Sequence, residues 1–160
     1  MNHIHLFGFA QGGSVATEFV IDLWKQQQLQ QQLRIKKSTT IGDFKDNNIN
    51  QSLEPQESVG SIVTVSGPLL SYPTISTLCP TPILVTHRSP PSSSDLALSP
   101  EAFTAFNKAF ASVTESKMGT KGMGMPSSKQ EWEPIMKFWS QHLMRRQVEG
   151  LYEIMSGSGN

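Results

Sequence analysis

Gly8-Phe9-Ala10-Gln11-Gly12 has the frame of a Gly-x-Ser-x-Gly nucleophile turn, with alanine in the serine position. In such a turn a serine hydroxyl, presented between a strand and a helix, attacks a carbonyl carbon. Its glycines are small because the two backbones nearly collide there. Alanine has no oxygen to attack with. The backbone N–H of Gln11 would still point at an oxyanion-type site, where the helix dipole also favours negative charge.

Other residues could carry chemistry, and each has a plainer role. Ser14, one turn into the following helix, reads as a cap or a helix-surface residue rather than a replacement nucleophile. His3 and His5 alternate with apolar residues on one strand, as edge or satisfied core histidines do. They lack a third ligand for zinc. Ser66 and His87 close two strands and are candidates to line a pocket, His87 having a structural hydrogen bond to the next loop as its plainer role. His142 falls on a solvent-facing helix surface, and Ser92 to Ser94 form a polar loop without partners. Gly119 to Gly124 is glycine-rich but lacks the lysine and the strand-then-helix spacing of a phosphate loop. No metal and no cofactor is expected.

The elements that must position these residues alternate. His3 to Phe7 reads as a strand and Ser14 to about Trp24 as a helix. Lys25 to about Ser58 is rich in glutamine and asparagine. Leu29 and Leu33 could prolong the helix by a turn or two, with a mobile surface loop expected beyond Arg34. Ser61–Val65 and Pro82–His87 are β-branched runs ending in loop chemistry, as buried parallel strands do. Ser99, Pro100 and Glu101 open a helix with Phe103, Phe106, Phe110 and Val113 on one face. Ser112 to Met118 reads as a last strand. Ser128 with Glu131 resembles a capping box, opening a helix with Trp132, Ile135, Met136, Trp139 and Leu143 on its apolar face and Pro134 bending its first turns. The order predicts an α/β fold with a parallel sheet of about four strands flanked by helices.

IHLFGFAQGG, VTVSGPL, TPILVTHR and the glycine-rich loop before EWEPIMKFW follow one another as in the C-terminal half of an α/β-hydrolase. The chain resembles the phospholipase/carboxylesterase branch, which includes acyl-protein thioesterases and whose habitual elbow reads G-F-S-Q-G-G. The likeness covers roughly two-thirds of the chain. It implies a carboxylic-ester or thioester hydrolase, with an acid after the penultimate strand and a histidine after the last. Transferred residue by residue, the nucleophile position is Ala10, the acid position is Pro91 and the histidine position is Met123, with Asp95 as a substitute acid from another loop position. All three positions of the triad are degenerate, so the resemblance implies a dead or impaired hydrolase that keeps a pocket for an ester or acyl molecule. Two alternatives stand beside it. One is an active hydrolase with an atypical site; the other is an interaction module using the sheet edge or the glutamine-rich loop.

The chain of 160 residues holds one domain, expected over 1–146 with the loop at about 25–58 interrupting it and a tail at 147–160. Thirteen basic residues balance 13 acidic ones, which argues against nucleic acid as a partner. The single cysteine, Cys79, excludes an intrachain disulfide framework, and no apolar run reaches the length of a membrane span. With no signal peptide pattern, a cytoplasmic location is expected. The resemblance lacks the strands that precede the elbow strand in the family. A fragment of a longer domain, or a half-domain self-associating through an exposed edge, is therefore expected.

Overall fold

Residues 61–66 and 83–88 are buried throughout, which two neighbouring strands achieve only when both faces of the sheet are covered. The computed structural model describes residues 3–40, 58–88, 97–119 and 124–143. It contains β1 (His3–Phe9), α1 (Gln11–Thr40), β2 (Ser58–Val65), β3 (Ile83–Arg88), α2 (Pro100–Ala109), β4 (Val113–Met118) and α3 (Lys129–His142). The strands form one parallel sheet in the order β1-β2-β3-β4. This is the expected α/β architecture. The central pair β2 and β3 carries the continuous apolar runs. The outer strands are less buried, and Ile4 on β1 is 51% exposed.

Alternation along each strand divides the core in two. Ile62, Ile83 and Val85 face Val20 and Ile21 of α1 and Phe106 and Ala109 of α2. Val63, Val65 and Leu84 face Ile135 and Phe138 of α3 on the other side. Phe7 joins that second layer, its ring 5.9 Å from Trp132 and 5.8 Å from Trp139. The apolar face of α3 therefore differs from the expected one. Phe138 is buried, whereas Met136 and Leu143 are 58% and 47% exposed.

Helix α1 also runs further than expected, continuing from Trp24 to Thr40. Its first half is packed, and the carboxylate of Glu18 and the indole of Trp24 that it carries bind the β2–β3 connection. Glu18 accepts from the N–H groups of Leu70 and Ser71 at 2.8 and 3.0 Å, and Trp24 Nε1 donates to Thr77 O at 3.1 Å. Beyond that, Leu29 and Leu33 are exposed. The extension is held by propensity: glutamine, leucine, lysine and arginine are good helix formers, and the packed turns have already met the cost of nucleation. The loop expected at about 25–58 is thus helical as far as Thr40, and its remainder at 41–57 lies outside the described residues. The caps of α2 and α3 follow the sequence, with Ser99 Oγ accepting from Ala102 N and Ser128 Oγ from Glu131 N. Among the described residues, no helix is long and apolar enough to cross a membrane.

Candidate functional site

The strand-to-helix turn is built as the sequence requires. Ala10 links β1 to α1 with φ 47°, a left-handed conformation uncommon for a residue with a side chain. Its N–H donates to Val65 O at 2.7 Å, and its carbonyl accepts the N–H of Ser14 at 3.1 Å. A Cβ on Gly8 would stand 2.4 Å from Gly12 O and 2.5 Å from Gly13 Cα, so the strand and helix backbones do nearly touch. The second obligatory glycine is one residue later than the motif suggests. Gly12 has open space around it, whereas a Cβ on Gly13 would meet Thr64 Oγ1 at 2.3 Å. Phe9 is half-buried, with its ring in the α3 layer. Gln11, exposed, occupies the first position of α1, where N–H groups have no carbonyl a turn earlier to bind.

Ser14 is not on the helix surface. It is 2% exposed, because it sits under the Ser66–Gly67 turn, and its Oγ donates to Ala10 O at 3.5 Å. A Cβ on Gly67 would lie 2.5 Å from Ala10 O and 2.7 Å from Ser14 N. The turn that ends β2 thus rests directly on the turn that ends β1. Ser66 repeats the backbone of Ala10, with φ 55°, and its N–H donates to Thr86 O at 2.8 Å. The registered row Phe9–Val65–Thr86 is therefore followed on three adjacent strands by Ala10, Ser66 and His87. Ligands of open parallel sheets bind outside this carboxyl end of the strands.

His87 is buried and its ring nitrogens are engaged. Nε2 lies 2.8 Å from Glu115 Oε1 on β4, and Nδ1 lies 3.3 Å from Arg88 O. The structural hydrogen bond expected of it exists, but to the neighbouring strand rather than to the next loop. That contact, more than any other cause, lowers the carboxyl of Glu115 below its ordinary range. His5 is satisfied by Ser61, Nδ1 to Oγ at 2.8 Å. His142 is partly buried rather than solvent-facing, its Nδ1 2.8 Å from Phe138 O and its ring against the Phe138 ring. Pro91, Asp95 and Met123 lie outside the described residues, as do Ser92 to Ser94.

One cluster has no counterpart in the sequence reading. Arg88 is 1% exposed and reaches from the end of β3 to the connection before α3. Nη1 donates to Glu131 Oε1 at 2.7 Å and to Gly119 O at 3.0 Å; Nη2 donates to Gly124 O at 3.2 Å. Glu131 also accepts the N–H of Ser127 at 2.8 Å, so its carboxylate binds two segments at once. These hydrogen bonds, from Ser127 first and Arg88 second, hold its carboxyl below the ordinary range. A basic residue closing a buried strand is the signal that the sequence carries for it, and the Ser128–Glu131 pattern reads only as a helix cap. Among the described residues, no group of three or more histidines, cysteines or acids could hold a metal ion.

Fold and turn together define a parallel α/β sheet whose first strand ends in a strained, glycine-packed turn before a helix. A protein of Mycosarcoma maydis described as an uncharacterized hydrolase is 26% identical to the chain over 144 residues. The match takes in 89% of this chain and 43% of that protein, so the chain spans less than half the relative's length. This distant relation supports a hydrolase-like character coarsely. No protein-family model matches the chain, and no solved structure does.

Proposed function

We propose that the chain is part of an α/β-hydrolase of the carboxylesterase and thioesterase type. In this reading it retains an acyl-binding site and is catalytically dead or severely impaired. The observation that carries the reading is the backbone of Ala10. A left-handed non-glycine residue costs about 1–3 kcal/mol and persists where the surroundings enforce it; here Gly8, Gly13 and Gly67 press in on that turn. The turn is the one that presents a nucleophile, and the residue in it has no nucleophilic atom. Binding chemistry outlasts that loss, since the N–H of Gln11 and the positive end of α1 still favour an oxyanion or a carboxylate.

The degenerate acid and base positions, Pro91 and Met123, point the same way. His87 does not replace the base in this reading, since Glu115 and the Arg88 carbonyl take up its nitrogens. The test is hydrolysis of short-chain p-nitrophenyl esters and thioesters by the purified chain beside its Ala10→Val control. Equal rates are expected, and clear turnover that titrates with active protein would overturn the impairment.

A further inference from the structure

Ser66 carries two costs for which the fold offers no return. Its backbone is left-handed at φ 55°, and its hydroxyl oxygen is buried without a hydrogen-bond partner. A buried, unsatisfied polar group is destabilising, and strain of this kind collects at functional sites. Its position gives the two costs a purpose. Ser66 stands between Ala10 and His87 along the carboxyl end of the sheet, and Gly67 rests on the Ala10 carbonyl. The neighbouring polar groups are already committed, His87 to Glu115 and Thr64 Oγ1 to Gly67 O. Among the described residues, the Ser66 hydroxyl is thus a buried, uncommitted side-chain donor beside the turn whose own side chain is a methyl group.

We propose that Ser66 is a ligand-binding hydroxyl of the Ala10 site, donating to the carbonyl or carboxylate oxygen of an acyl-type ligand. The inference rests on the acyl-site reading above and adds the residue that recognises the oxygen. A group kept for its ligand rather than for the fold has a distinctive signature: removing it leaves stability intact or improved and weakens binding.

The experiment titrates the isotope-labelled full chain with methyl butyrate, and with butyl methyl ether as a probe lacking the carbonyl oxygen. The amides of Gln11 and Ser66 report binding. Ser66→Ala removes the hydroxyl, and Ser66→Gly removes it while relieving the backbone. Both variants are expected to melt at or above the wild-type temperature. They should bind methyl butyrate about five-fold more weakly, with ether binding unchanged. Wild-type protein that shows no ester-induced shifts at these amides would overturn the acyl site and this inference together. Ester binding that is equal in wild type and both variants would overturn the role of Ser66 alone. So would a fall in melting temperature in both variants, since the hydroxyl would then serve the fold.

Discussion

The N–H of Ala10 donates to the carbonyl of Val65 across 2.7 Å, joining the end of β1 to the end of β2 by main-chain atoms. The turn is therefore held by main-chain hydrogen bonds and by the close approach of the glycines around it. Ala10→Ser should consequently fold and place a hydroxyl at the turn. On the proposed reading, which puts the family's base position at Met123, the same variant alone should still show no ester turnover above the Ala10→Val control. Recovery by orders of magnitude in a p-nitrophenyl butyrate assay would mean that a base stands elsewhere.

The glycines of the turn are not equivalent. Gly8→Ala and Gly13→Ala each insert a methyl group into contacts of 2.4 and 2.3 Å, and thermal or urea unfolding should register a loss of about 1–3 kcal/mol or more. Gly12→Ala meets open space on a helix and should gain about 0.5 kcal/mol. Equal losses at all three positions would mean that the close approach lies elsewhere.

Arg88→Met should be the costliest of the polar substitutions. It strands the Glu131 carboxylate, 10% exposed, and removes the donor to Gly119 and Gly124, at about 3–5 kcal/mol. The double variant Arg88→Met with Glu131→Leu should be less damaging than the sum of the two, since no charge is then left behind. Hydrogen exchange should show the loss concentrated at 124–131, with β1 and β2 protected as before.

Acid should act partly through the same pair. The carboxyl of Glu131 sits below its ordinary value of 4.5, so it adds stability above that value and loses it as pH falls through the lower, folded one. Melting temperature should hold from neutral pH down to about 5 and then fall. Glu131→Gln should be less stable at neutral pH and should lose less below 4.5. Glu115, depressed by His87, contributes in the same direction and will keep part of the slope.

The strands and caps were legible because their signals are local. Ile62–Val65 and Ile83–Val85 are β-branched runs, and Ser99 and Ser128 precede their helices in the standard way. The extent of α1 was not legible from apolar burial, because its distal turns bury little and are carried by helix propensity. At the site, the turn at Ala10 could be read from glycine spacing. The crowding that makes Gly13 obligatory could not, since it comes from Thr64, 51 positions away in sequence across the first crossover. Arg88 and Glu131 were hidden for a related reason, their pairing being set by how β3 and α3 meet.

The turn at Ala10 has a consequence for descent. Every alanine codon becomes a serine codon by one change at its first base, so this gene stands a single substitution from a hydroxyl at that turn. The scaffold would accept the exchange in either direction without a compensating mutation, because the left-handed backbone is already in place. Serine and alanine alleles at this position can therefore interchange within a lineage while the fold stays constant.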